Sequence, residues 1–265
     1  GEHEPILKAV DLLQSITQTE SKIVTVRADK VAKDDATYYS TGTLWLDDWL
    51  SGGIRKPELV LFGAPPFGGK THFQVWFVAN LLLTYPNAQA AHFIGEDIIT
   101  DVRNMYKKIL PASSLKRVWF VDMIDYRFSV HEVESGVNKL RKEGIAIDIV
   151  VSDHVDIMTP GHYSFSEQGG LTSIVRDLRV MTKRLDVVGV TASQSYPKSG
   201  DRKGLARLFG AKIGKAGNAD VVIIAEPAFG KTIKLSLDKA RGRAIPIDAT
   251  KQIVADWGSM RVDEV

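Results

Sequence analysis

The 265 residues suit one large α/β domain, or one domain with an arm, and at 44% hydrophobic and 25% charged they read as soluble and globular. A net charge of +2 supplies no global field toward nucleic acid, so any such binding must come from a local patch. The lack of cysteine excludes disulfide, thiol and Cys-based metal chemistry and fits a reducing, cytoplasmic compartment, and no apolar run nears the ~18 residues of a membrane span.

The start, Gly1-Glu2-His3-Glu4-Pro5, has no signal-peptide pattern and reads as the edge of a longer chain. Pro5 to Gln18 is predicted to be a helix. Pro5 suits a first turn, and Ile6, Val10, Leu13 and Ile16 trace one face. A short β-like piece, Ile23 to Val26, leads into a polar charged stretch. Residues 1–40 read as an N-terminal arm or linker, with a helix packed on its own domain as the alternative. Residues 41–265 read as the principal domain. Within them, Leu44, Leu46, Trp49 and Leu50 fit a short helix, stopped by Gly52 and Gly53.

The stretch from Glu58 to Thr71 organises the rest of the chain. Leu59 to Phe62 has the length and apolarity of a buried parallel strand, and His72 to Thr84 is apolar all round, as a buried helix is. Strand, Gly-rich loop and helix are the context of a P-loop. In such a loop the amides of Gly68, Gly69, Lys70 and Thr71 cradle phosphate oxygens, helped by the positive end of the helix. Lys70 then reaches the β- and γ-phosphates and the Thr71 hydroxyl binds Mg²⁺, so ATP and Mg²⁺ are the expected cofactors. The first Gly of the usual pattern is replaced by Ala64, with Gly63 one place earlier. The bland alternative is an ordinary strand-to-helix turn.

Alternating strands and helices follow. Ala90–Ile94, Arg117–Val121, Ile147–Val151 and Val187–Thr191 read as strands, and Ile99–Ile109, Ser129–Gly144 and Leu171–Leu185 as helices. This rhythm predicts a mainly parallel central sheet flanked by helices. Ligands of such sheets bind at the carboxyl ends of the strands. Four polar clusters fall there: Gly69–Thr71, Glu96–Asp97, Asp153 and Ser193–Gln194. Asp220–Ala225 and Ile233–Asp238 then read as a C-terminal antiparallel hairpin with its turn at Glu226–Gly230. That turn repeats a Gly230-Lys231-Thr232 triplet. A period-two strand follows it instead of a helix, so we read it as a plain hairpin turn.

Asp153, after Ile149-Val150-Val151, reads as a Walker B acid that positions Mg²⁺, or else as an ordinary strand-end acid. Glu96 is the candidate general base for water attack on the γ-phosphate, with Asp97 as its neighbouring competitor. Gln194 reads as a γ-phosphate sensor or a loop residue. Lys198, Arg202, Lys203, Arg207, Lys212 and Lys215 stand against the single acid Asp201, with Gly200, Gly204, Gly210 and Gly214 among them. A basic, supple loop suits contact with a nucleic-acid backbone, and its alternative is a solvated surface loop. Met158 to Gly170 is a second irregular stretch of similar position. Lys239 and Arg241 read as Lys and Arg fingers for a neighbouring subunit, or as a charged hairpin end. His154, without Ser-His-Asp spacing or a metal-binding partner, reads as structural.

Together these residues resemble the ATPase domain of DnaB-type replicative helicases, in the RecA-like superfamily. The family's P-loop often starts with Ala and carries Pro at the position of Pro66, and its second strand ends in a run like Ile94-Gly95-Glu96-Asp97. Its Walker B run, Asp-Tyr-Leu-Gln-Leu-Met, matches Asp153-His154-Val155-Asp156-Ile157-Met158, and its Ser-Gln sensor matches Ser193-Gln194. Its Ala-Asp before a β-branched strand matches Ala219-Asp220, and its finger pair matches Lys239-Ala240-Arg241. Phe209-Gly210-Ala211-Lys212 departs from the family's DNA-loop run, and the resemblance covers about Thr41 to Val254.

The resemblance implies Glu96 as the catalytic base and a homo-oligomer with ATP sites between subunits, expected as a ring hexamer. It also implies single-stranded DNA in the pore, held by the Lys198–Lys215 loop including Gly210, and a primase or loader as a further partner. Two rivals accompany it: a RecA- or KaiC-like recombinase or regulatory ATPase, and a slow ATP-dependent assembly scaffold. The Lys-x-Arg pair argues against the first, and the pairing of Glu96 with Gln194 against the second.

Overall fold

In a computed structural model the chain is described at residues 38–123, 128–161, 167–195, 217–246 and 249–265. The predicted helix Pro5–Gln18, the strand Ile23–Val26 and the basic-loop residues Lys198, Arg202, Lys203, Arg207, Gly210, Lys212 and Lys215 lie outside the described residues.

A two-residue strand, β1 (Tyr38–Tyr39), pairs antiparallel with β2 (Ile54–Arg55) around a short helix, α1 (Leu44–Trp49). The main sheet begins with β3 (Leu59–Ala64), every residue of which is buried. It continues, helix by helix, with α2 (Lys70–Thr84), β4 (Ala90–Ile94), α3 (Ile99–Ile109), the single turn α4 (Ala112–Leu115) and β5 (Val118–Asp122). Next come α5 (Val130–Lys142), β6 (Ile149–Ser152), a 3₁₀ turn at Val155–Ile157, α6 (Glu167–Leu185) and β7 (Val188–Gln194). Four more strands close the sheet: β8 (Val221–Pro227), β9 (Thr232–Ala240), β10 (Thr250–Asp256) and β11 (Arg261–Glu264).

The order across the nine strands is β11-β10-β9-β8-β3-β7-β6-β4-β5. From β8 to β5 all neighbours are parallel, and from β8 to β11 all are antiparallel. This is the expected mainly parallel sheet. The C-terminal hairpin is larger than the sequence suggests, because β10 and β11 extend it.

β3 explains the layering. Its residues alternate between faces with period two. Val60 and Phe62 join a core with Phe73, Phe77 and Leu81 of α2 and Val102 and Tyr106 of α3. Leu59 and Leu61 join the opposite core with Val133 and Val137 of α5 and Ile174, Val175 and Leu178 of α6. A strand buried on both sides must be apolar throughout, which is why it is legible as an unbroken run. α5 starts where Ser129 and Glu132 form a reciprocal capping box, satisfying the free amides of the first turn.

Parallel strands bring their carboxyl ends to one edge of the sheet. Phe93 faces Ser152 across β4 and β6, and Gly63 and Ala64 face Ser193 and Gln194 across β3 and β7. The four polar clusters therefore share one edge.

Candidate functional site

The phosphate loop is built by its glycines. Gly68 donates its amide to the Pro65 carbonyl at 2.9 Å, closing a tight turn, and a Cβ at Gly68 would come within 2.8 Å of that same oxygen. Gly69 has φ 81°, the left-handed region that glycine adopts without strain, and it caps α2. A Cβ there would meet Trp257 Nε1 at 2.9 Å. Trp257, in the turn between β10 and β11, lies edge-on to Phe73 at a ring separation of 4.9 Å and beside His72 at 5.1 Å. Sequence reasoning missed Trp257, because only the unanticipated β10–β11 turn carries it back to the loop. Lys70 and Thr71 begin α2 just beyond Gly69, so the first amides of a 15-residue helix face the space above the loop.

An acidic cluster stands next to that helix start. Thr71 Oγ1 donates to Asp97 Oδ2 at 2.8 Å. Asp153 is buried. Its Oδ2 accepts the Glu96 amide at 2.8 Å and the Gly95 amide at 3.2 Å, and its Oδ1 accepts the His154 amide at 2.8 Å. Asp153 therefore straps the end of β4 to the end of β6, while Asp97 is the carboxylate that takes the Thr71 hydroxyl. Burial raises the pKa of Asp97, and the charges of Asp153 and Glu96 add to the rise against the Thr71 hydrogen bond. Crowded carboxylates of this kind are relieved by a cation.

Among the described residues no group of three or more His, Asp and Glu side chains forms a metal cage. The donor set suits instead a hard divalent ion that takes one or two carboxylates and a hydroxyl and shares the oxygens of a bound polyphosphate. The helix start, the Thr71 hydroxyl and the adjoining acids thus fit a nucleoside triphosphate with Mg²⁺.

Glu96 projects from the end of β4 with its side chain about half exposed, within reach of both the loop and solvent. His154, set aside by the sequence as structural, belongs to the site: its Nε2 bonds Glu96 Oε2, and its Nδ1 lies 3.5 Å from Asp156 Oδ2. The second distance is an ion-pair contact and not a formed hydrogen bond, since Nδ1 has no hydrogen-bond partner. Burial alone would lower the pKa of His154, but Asp156, Glu96 and Asp153 outweigh it and raise the value. Asp156, also missed, accepts the Gln194 amide at 2.7 Å and the Ser193 hydroxyl at 3.2 Å. Gln194 itself is half-buried beside Ala64, at the root of the phosphate loop.

Lys239 and Arg241 lie elsewhere. β9 runs antiparallel to β8, with Ala240 opposite Val221, so this end of β9 is at the amino edge of the parallel strands. Lys239 Nζ donates to the Gly217 and Ala219 carbonyls, both at 2.6 Å. Burial lowers its pKa to about 8, with the charges of Arg241 and Arg179 adding and that of Asp220 opposing. Arg241 Nε sits 3.0 Å from Asp220 Oδ1, and Asp220 also holds Arg179 at 2.9 Å. Within one chain, then, the finger pair and the phosphate loop occupy opposite edges of the sheet.

A mainly parallel sheet with a phosphate loop on its central strand and an antiparallel extension defines a RecA-like P-loop core. Solved structures share this fold. One, an ATPase domain solved by itself, matches over 97% of this chain and 97% of its own, with a TM-score of 0.69 and 16% identity. A DnaB-like replicative helicase, studied for its interactions with primase, matches all of this chain and 72% of its own, with a TM-score of 0.71 and 18% identity. No family model matches the chain, and no curated protein matches it by sequence. No helix among the described residues is long and apolar enough to cross a membrane.

Proposed function

We propose that this chain is an ATP-hydrolysing nucleic-acid motor, the ATPase core of a ring-shaped, DnaB-like replicative helicase that moves on single-stranded DNA. The observation that carries the reading is the meeting of Gly68–Thr71, Glu96–Asp97, Asp153 and Ser193–Gln194 at one edge of the sheet. The fold shared with a solved ATPase domain and a DnaB-like helicase supports it.

In this reading the amides from Gly68 to Thr71 hold the phosphates, and Lys70 neutralises the β- and γ-oxygens. Mg²⁺, when bound, offsets charge on those oxygens. Thr71 with Asp97 and Asp153 would hold that ion. Glu96 takes a proton from the attacking water, and Gln194 marks the presence of the γ-phosphate. Lys239 and Arg241 would act on the site of a neighbouring subunit, in a hexamer with ATP between subunits. The basic loop with Lys198, Arg202, Lys203, Arg207, Gly210, Lys212 and Lys215 would follow the DNA backbone. A primase or loader is the further partner.

The test is steady-state hydrolysis with and without single-stranded DNA. Wild-type turnover should rise with DNA, and more weakly as salt increases. Lys70→Ala should abolish it and weaken nucleotide binding. Glu96→Gln should keep nucleotide binding and lose roughly 10²–10⁴-fold in turnover. Normal turnover in Lys70→Ala would overturn the phosphate-loop assignment, and turnover indifferent to DNA would overturn the motor.

A further inference from the structure

A chain of polar contacts runs from the candidate base to the candidate sensor. Glu96 bonds His154 Nε2, His154 Nδ1 lies 3.5 Å from Asp156, and Asp156 accepts both Ser193 Oγ and the Gln194 amide. A carboxylate only accepts, so Nε2 carries the hydrogen in the Glu96 bond. His154 is 5% exposed, and the 3₁₀ turn after it is pinned by buried Val155 and Ile157. The Glu96 side chain, by contrast, is 52% exposed and has little packing of its own to choose a rotamer. In the family run that Asp153–Met158 resembles, these two positions hold Tyr and Gln, so the imidazole–carboxylate link belongs to this chain.

We propose that His154 is the positioning residue for Glu96, and that Asp156 fastens this pair to the Ser193–Gln194 end of β7. The proposal rests on the reading of Glu96 as the general base. A carboxylate held at one rotamer meets its water in the reactive geometry, and losing that placement costs up to about 10²-fold in rate. The tie to Asp156 adds a mechanical consequence. A shift at the end of β7, where Gln194 borders the phosphate loop, is handed to the base through two side chains.

The test compares two variants of the full chain that differ by one methylene. The amide of Gln reaches the place of an imidazole Nε2, whereas that of Asn reaches only the place of Nδ1. His154→Asn should lower kcat about ten- to a hundredfold. Its KM and its affinity for a non-hydrolysable ATP analogue should not change. His154→Gln should recover most of the rate. In a Glu96→Gln background, His154→Asn should cause no further loss. Asp156→Asn should lower kcat severalfold, and the effect should vanish in His154→Asn.

Equal losses in His154→Asn and His154→Gln, or none, with Glu96→Gln still inactive, would overturn the positioning role and leave the base standing. Wild-type turnover in Glu96→Gln would overturn the base itself. A loss from Asp156→Asn that persists in His154→Asn would overturn the tie to β7. Should the His154 variants fail to fold, the wild-type protein supplies its own readout. The imidazole–carboxylate bond gives a downfield Nε2 proton resonance, which Glu96→Gln should remove, and a spectrum unchanged by Glu96→Gln refutes the contact.

Discussion

His92 is buried on β4, its Nδ1 3.2 Å from the Tyr106 hydroxyl, and burial depresses its pKa to about 4 against a partial opposing pull from Asp153. In the unfolded chain the ring regains its ordinary value near 6.5. As pH falls below that value the unfolded state takes up the proton first. Stability is therefore lost from about 6.5 down to about 4, and is fully present above this window. Urea unfolding across this range should show a steeper decline for wild type than for His92→Gln, and equal slopes would assign the loss to other groups. The residues of the site differ in how far they could be read in advance. Lys70, Thr71, Glu96, Asp153 and Gln194 were legible because each sits at a fixed offset from a strand end. Asp97, His154, Asp156 and Trp257 take their roles from contacts between the ends of different elements, which spacing along the chain does not encode. Gly69 shows both cases: its amide follows from the motif, while its intolerance of a Cβ follows from Trp257.

Among elements, those with one strong pattern were readable. α2 is buried on nearly every side, and its apolar residues crowd all round the helix. β10 and β11 were not readable, since Thr250–Asp256 mixes Lys, Gln and Asp with three buried apolar positions at most and Arg261–Glu264 is mostly exposed and charged. The β8–β9 hairpin gives the sharper lesson, because it carries a second Gly-Lys-Thr triplet. There the Ala228 amide bonds the Thr232 carbonyl at 2.9 Å across the turn, and β9 continues from Thr232. With no helix start behind it, Lys231 has no phosphate to meet and instead pairs with Asp256 at 3.0 Å on the surface. Lys231→Ala should leave nucleotide affinity unchanged and cost under about 1 kcal/mol of stability. A loss of nucleotide binding as large as that of Lys70→Ala would refute the distinction.

At the scale of the molecule, Arg241 and the phosphate loop lie at opposite edges of one sheet, so joint action on one nucleotide requires two chains. Arg241→Ala should bind ATP and hydrolyse it poorly, since fingers in other NTPases contribute roughly 10³–10⁵ in rate. Mixed with Lys70→Ala under conditions of proven subunit exchange, it should regain activity. Full activity in isolated monomers would exclude the shared site.

The place of β3 in the strand order also sets a clock. The central strand pairs only with β7, at residues 188–194, and β8, at residues 221–227. Both are made long after it. At ~5–20 residues per second, the fully apolar β3 waits roughly 10–30 s on the ribosome for its second neighbour. Through that interval the phosphate loop has no sheet to stand on, and the strand needs shelter from other chains. Ribosome-stalled chains ending near residue 210 should be cut by protease at β3, and chains stalled well past β8 should resist. Early protection would mean that β3 finds another partner first.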